Sequence, residues 1–568
     1  MAVHFRTQPG LKTDATSLLY YAMILLAVSI PLSEFGMSAS QFLMLGLWAA
    51  EGADYSGGRH LRMQNAIARI GYLFKATAVN LAGKFRMLFN NPAAMVAVSL
   101  YLLHAIGLFY SNDVNYALKD LRIKLPLISL PVILATTPAL DRQRFQRLIY
   151  FFILAVFSGT LASMYVFFTR HVSDPRELSI FISHIRFSLT ICFAIFAMVH
   201  LLYKREYRSG FHKLILVAGI VWFLLFLFIL ESITGILIMA ILTFIMVLYL
   251  GFRIKNNTLK YSLLILSITA TVASVHYFRS FVRDFSHAPA VDFSSLDRYT
   301  AYGTPYLHDT CSYGVENGKF VGLYISHTEL RNEWNRKSEL SYDGLDRKGQ
   351  QLSHTLIRYL HSKNLRKDAE GVRSLSEKEI RHIENGVASA VYLDNLNLRS
   401  RFEQIAMGYS NYIRHGDPNA SSVMQRIEYW KTSLYIVKHN WLTGVGTGDL
   451  NEAFSAAYEE LDSKLEPDFR KRSHNQFLAI FIAFGIFGLA WFLFTLIFPP
   501  LKLGKFTDFY YVVFFVIIIM SMLTEDTLET QAGVTFFAFF NALLLFSRRR
   551  TPLHNTYGKE ASADHPIK

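Results

Sequence analysis

The chain has 568 residues, 52% of them hydrophobic and 15% aromatic, with a mean hydropathy of +0.26, which is too apolar for a soluble enzyme of this size. The formal net charge of +14 reads as topology and not as nucleic-acid binding, because lysine and arginine collect in the cytoplasmic loops of membrane proteins. Only two cysteines are present, Cys192 in an apolar run and Cys311 in a polar one, so neither a disulfide framework nor a cysteine metal site is implied.

The first apolar run, 17–33, is followed by others without a cleavage site, so it reads as a span and not as a removable signal. Eleven more candidate spans follow at 37–50, 92–110, 122–138, 147–168, 187–203, 213–230, 232–252, 262–277, 475–498, 508–525 and 531–547. Several are shorter than the roughly 20 residues that cross a bilayer upright. Alternate connections hold the basic residues: Arg59, Arg62, Lys75, Lys84 and Arg86; Arg142 and Arg147; Lys204, Arg205 and Arg208; Arg253, Lys255 and Lys260; Lys502 and Lys505; and then Arg548, Arg549 and Arg550. Hydropathy and loop charge therefore agree on about twelve membrane helices with both termini cytoplasmic. The expected fold is an all-α polytopic membrane protein with an N-terminal bundle of about nine spans (1–277), an extracytoplasmic lobe (278–473), about three C-terminal spans (474–550) and a cytoplasmic tail (551–568).

The lobe should be mostly helical. Residues 376–379, Ser-Glu-Lys-Glu, form a capping box, and 393–414 and 421–438 repeat apolar residues at helical spacing. The run Gly444-Val-Gly-Thr-Gly must be a turn; without a following lysine it is a weak phosphate-loop match. Gly485 and Gly488 are spaced to let neighbouring helices approach.

Polar residues then gather at the outer boundary. Arg186 opens the sixth span, Glu231 sits in the turn between spans seven and eight, Arg426 heads the last long lobe helix, and Arg472, His474 and Asn475 lead into span ten. Titratable groups at the water–lipid boundary are costly without a partner or a task. Each also has a plainer reading: Arg186 as a snorkelling anchor, Arg426 as part of a solvated helix face, His474 as a helix cap and Glu231 as a turn cap.

Together, these residues resemble the bacterial O-antigen ligase and polymerase superfamily. The resemblance rests on His474-Asn-Gln with Gly485-x-x-Gly488 after it, on Leu442-Thr-Gly-Val-Gly-Thr-Gly-Asp449 before it, and on Arg426. It covers about 90–547 and departs from the family pattern at Ile233, where many members have arginine, and at Trp441, where proline is common. The resemblance implies a GT-C-like membrane glycosyltransferase in the bacterial inner membrane with its site facing the periplasm. Its donor would be a polyprenyl diphosphate-linked glycan and its acceptor of the lipid A-core type. Polymerase and protein O-oligosaccharyltransferase are alternatives that differ in acceptor, and a lipid-linked glycan flippase is an alternative of another class.

The residues suit that chemistry. A departing diphosphate needs fixed positive charge, which Arg186, Arg426 and Arg472 can supply. An acceptor hydroxyl needs a base, a histidine is the usual one near neutral pH, and His474 fits that role. Asn475, Glu231 and Gly446 are expected to support the site. No Asp-x-Asp pair, His-Glu-x-x-His or cysteine cluster is present, so no metal or other cofactor is expected, and arginines would neutralise the leaving group instead.

Overall fold

The structure, a computed structural model, describes residues 13–54, 66–170, 175–253, 256–286, 290–316, 318–390, 398–419 and 421–548. Arg59, Arg62, Lys255, Arg549, Arg550 and the 551–568 tail lie outside the described residues. Helices α1 (Thr13–Leu32) and α2 (Glu34–Asp54) pack on each other, and α3 (Ala66–Phe89) follows. Much of this third segment was expected to be a basic cytoplasmic connection. It is instead a two-faced helix, and its Lys84 is buried 2.5 Å from Glu51 of α2. Helix α3 meets α4 (Pro92–Leu108) at 96°. The bend falls at Asn91, whose side chain caps α4 just before Pro92.

The single span expected at 122–138 is divided into α5 (Val114–Lys124) and α6 (Pro126–Thr136). Pro126 lacks an N–H and stands at the first position of α6, while α5 carries Asp120 and Lys124, so the apolar run starts afresh at α6. Next come α7 (Arg142–Thr169), α8 (His184–Tyr203), α9 (Gly210–Ile229), α10 (Ile233–Arg253) and α11 (Asn257–Ser286). The apolar stretch of α8 is 83% buried against 22% for α9. Helix α8 is therefore central, and α9 presents its side chains outward. Helix α11 continues beyond residue 277, where the lobe was expected to begin.

In the lobe, strands β1 (Val315–Glu316) and β2 (Lys319–Phe320) form a small hairpin, followed by α12 (His327–Lys337), α13 (Leu352–Ser362), α14 (Ala369–Arg373) and α15 (Glu377–Glu384). The capping box read at 376–379 is formed by Ser376 and Glu379. These elements enclose a core of their own, with Val321, Ile325, Leu330, Trp334 and Leu356 at its centre. Helices α16 (Leu398–His415), α17 (Ser422–Asn440) and α18 (Leu450–Glu460) lead to α19 (Gln476–Lys502), α20 (Phe509–Thr524) and α21 (Gln531–Phe546).

Among the described residues, α7, α8, α9 and α19 are long and apolar enough to cross a membrane, and the bent α3–α4 pair makes a fifth candidate. Shorter apolar helices lie within α1, α10, α20 and α21. The chain is thus a mostly helical membrane protein.

Helix α19 is broken at Gly485, which has φ +63° and ψ −165°. The break frees carbonyls inside an apolar helix, and these must find donors. The loop after α17 supplies them: Val445 N–H donates to Ile482 O (2.9 Å) and Gly446 N–H to Ala483 O (2.8 Å), while Ile486 N–H donates to Trp441 O (2.8 Å). A Cβ at residue 485 would strike the Leu442 carbonyl. The Gly485–Gly488 pair was expected to admit a neighbouring helix; at Gly485 it is loop backbone that comes close. As expected, Gly444 and Gly446 turn the chain, with φ of +73° and +92°. Asp449 then accepts from the backbone N–H groups of Asn112 and Asp113 at 2.9 Å, fixing the loop to the end of α4.

Candidate active site

The connection between α20 and α21 places Glu525, Asp526 and Glu529 between two apolar helices. Glu525 is buried and contacts three groups: Arg426 Nη2 at 2.7 Å, Arg186 Nη1 at 3.3 Å and His474 Nδ1 at 3.2 Å. Burial alone would raise its pKa. The hydrogen bond from His474, with the charges of Arg186 and Arg426, outweighs burial and holds it at about 2. Glu525 is therefore a carboxylate, which can only accept a hydrogen bond. Nδ1 of His474 must therefore carry a proton, and in the neutral ring the lone pair lies on Nε2.

Asp526 fixes the same histidine through its backbone. Its carboxylate accepts from His474 N (3.2 Å), Asn475 N (2.8 Å) and Ser473 Oγ (2.9 Å). His474 is held at φ +44°, a left-handed conformation costly for a residue with a side chain. Capping of α19 falls to Asn475, whose side chain accepts from the N–H groups of Phe477 and Leu478. The imidazole is thus free of the capping role that the sequence left open for it. It stacks on Tyr429 at 5.3 Å between centroids, and Nε2 makes no hydrogen bond among the described residues.

The ring lines a cavity of about 480 Å³. Its walls come from the α9–α10 turn (Glu231, Ser232, Ile233), from α17 (Gln425, Arg426, Tyr429), and from Lys471, His474 and Glu525. Glu231 also adopts a left-handed conformation, φ +48°. Of the residues expected at the site, His474, Arg426 and Glu231 meet here. Arg186 is 7% exposed and sits behind Glu525, with Nη2 donating to Asp526 O at 3.2 Å and Nε unpartnered. Arg472 turns to a second cluster, 2.9 Å from Tyr116 Oη and 3.5 Å from Glu529. There, Lys124 is buried between Asp120 (2.6 Å) and Glu529 (2.9 Å). Gly446 belongs to the loop bound to α19 and approaches Gly107 and Ser111, away from the cavity lining.

The sequence reading passed over Glu525, Asp526 and Glu529, although the signal was present. Three carboxylates within five residues, bounded by two apolar runs, meet the same criterion that selected Arg186 and His474. It also missed Tyr429 and Lys124, whose roles depend on partners remote in sequence.

Residues 380–493 match the family model described as O-antigen ligase. The matched stretch includes α17, the 441–449 loop, His474 and the break in α19, and ends before Glu525. No curated protein matches the chain.

Proposed function

On the premise that residues 380–493 bring the chain into the O-antigen ligase family, we propose that it is a glycosyltransferase of the bacterial inner membrane. It moves a preassembled glycan from a polyprenyl diphosphate to an acceptor, and the first choice of acceptor is lipid A-core. In this reading the chain has a twelve-span, GT-C-like frame, both termini are cytoplasmic, and the cavity at His474 faces the periplasm.

One observation carries the mechanism. Nδ1–H of His474 is held by a carboxylate, while Nε2, where the neutral ring bears its lone pair, makes no hydrogen bond among the described residues on a ring that lines a cavity shared with Arg426. The acceptor hydroxyl attacks the anomeric carbon as its proton passes to Nε2, and the bond from that carbon to the diphosphate oxygen breaks. Glu525 stabilises the resulting imidazolium. The polyprenyl diphosphate leaves with added negative charge, which Arg426 meets. Glu525 engages only Nη2 of Arg426, and a guanidinium has five N–H donors, so the same arginine can hold a phosphate without releasing its carboxylate. For Arg186 and Arg472 to share that role, their present pairings must exchange when donor binds.

The test is transfer by purified protein supplied with lipid-linked donor and acceptor. Turnover should persist in excess chelator and fall by at least about 10²-fold in His474→Ala. Chelator loss restored by Mg²⁺ would overturn the assignment of charge neutralisation to arginine. In a deletion strain, carrier-linked glycan accumulating beside unmodified lipid A-core identifies the ligase. Capping by single repeats identifies a polymerase instead.

A further inference from the structure

A second cavity, of about 340 Å³, lies in the lobe outside the family-matched segment, within the size range of small-molecule sites. It is built from the β1–β2 hairpin, the 323–324 segment and the turn after α13. One feature of its wall is unusual. Lys367 is 4% exposed, yet its Nζ meets only neutral acceptors: Leu323 O at 3.1 Å and His361 Nδ1 at 3.4 Å. His361 Nε2 is 2.9 Å from Glu316 O. A carbonyl only accepts, so Nε2 carries the imidazole proton and Nδ1 accepts from Lys367. The ammonium therefore has no carboxylate within ion-pair distance among the described residues. Glu316 and Asp368 act on it only from beyond ion-pair distance; a buried charge with no counter-ion in contact is expensive, and an anion in the cavity would relieve it. Burial pushes the Lys367 pKa down to about 8, which leaves the group mostly charged at neutral pH.

The remaining lining points the same way and adds selectivity. Lys319 and Arg366 are exposed at the cavity, and none of its lining residues is acidic. Arg366 lies 4.7 Å from the Tyr324 ring centroid and pairs with Asp297, but both partners of that pair are half exposed, so it is screened and exchangeable. Phe320 and Tyr324 offer aromatic surface, and Asn364, bonded to Lys319 at 2.8 Å, offers an amide. Tyr324 is held at φ +57°. Such strain in a bulky residue is kept where surrounding structure enforces it, as at His474 and Glu231.

We propose that this cavity binds a negatively charged sugar, a pyranose bearing a carboxylate or a phosphate, with Lys367 and Arg366 meeting the charge and Phe320, Tyr324 and Asn364 meeting the ring. The site is separate from the cavity at His474, and its occupancy does not depend on the transfer reaction.

The experiment is calorimetric titration of the full-length protein in detergent with trigalacturonate, its neutral methyl ester, a hexose 6-phosphate and inorganic phosphate. Saturable binding of trigalacturonate or of the sugar phosphate is expected, and which of the two binds identifies the anionic group. The neutral ester and inorganic phosphate should each bind at least about tenfold more weakly, the size of a lost charge-assisted contact. Lys367→Met should cut affinity by a similar factor. Arg366→Gln, at an exposed position that spares the fold, should weaken binding as well. Equal binding of the neutral ester, inorganic phosphate as tight as the sugar phosphate, wild-type affinity in Arg366→Gln, or no saturable binding of either acidic sugar would each overturn the proposal. Arg426→Ala, which removes the anion-binding arginine of the His474 cavity, should bind these sugars like wild type, which keeps this result distinct from failure of the transferase reading.

Discussion

At the scale of single residues, Glu525 gathers Arg186, Arg426 and His474 on one buried carboxylate. Its pKa is held at about 2 against an ordinary 4.5. A depressed carboxyl stabilises the fold fully above its ordinary value and loses that contribution as pH falls from 4.5 towards 2. Asp526 is displaced the other way by burial, so its contribution is lost as pH rises through its raised value. Thermal unfolding in detergent should therefore show wild type losing stability between pH 5 and 3 more steeply than Glu525→Gln; parallel profiles would deny the pairing. His474→Ala should lower single-turnover transfer by about 10²–10⁴ with donor affinity retained, because the imidazole acts on the acceptor proton. Arg426→Ala should weaken donor binding as well as turnover, and Arg426→Lys should recover only part because the planar fork is gone. That His474 and Arg426 line one cavity was expected because His474 leads into an apolar run and Arg426 belongs to the residues that carry the family resemblance. Glu525 likewise borders an apolar run, but that it binds both depends on contacts 51 and 99 residues apart in the chain, which spacing does not encode.

At the scale of elements, the break in α19 shows why a glycine pattern is ambiguous. Two glycines three residues apart describe either a helix-packing face or a place where a helix opens. What decides is the 441–446 loop, which bonds to the exposed carbonyls. Gly485→Ala adds the strain of a backbone conformation essentially reserved for glycine, about 1–3 kcal/mol, to a collision with the Leu442 carbonyl. It should lower the melting temperature and the yield of folded protein, while Gly46→Ala, with open space around it, should not. Ile233 begins α10, is 47% exposed and lines the cavity. Ile233→Arg should therefore tighten donor binding and partly restore Arg426→Ala; no gain in either background would place the diphosphate elsewhere. The fold of α3 was hidden for a related reason. Its basic residues read as a loop because the partner that accommodates Lys84, Glu51, lies in another helix.

At the scale of the whole molecule, the sequence reading anticipated a mostly helical chain with membrane-spanning apolar helices, and erred where continuity of a run was taken for continuity of a helix, as at Pro126. Reporters fused after Lys204 and near Asn364 should report opposite sides of the membrane; a cytoplasmic lobe would remove the lipid-linked donor. The docking of the 441–449 loop on the end of α4 also has a temporal side. The amides of Asn112 and Asp113 meet Asp449, a partner 336 to 337 residues further along the chain. At ribosomal speeds of about 5–20 residues per second, that partner is synthesised roughly 20–70 s later. During that interval the early helices wait in the bilayer with the end after α4 unlatched, within reach of proteases and insertion factors. A nascent chain stalled before Asp449 should be cleared even with its first nine candidate spans intact. Co-expression of the missing C-terminal piece should rescue it by closing the latch in trans.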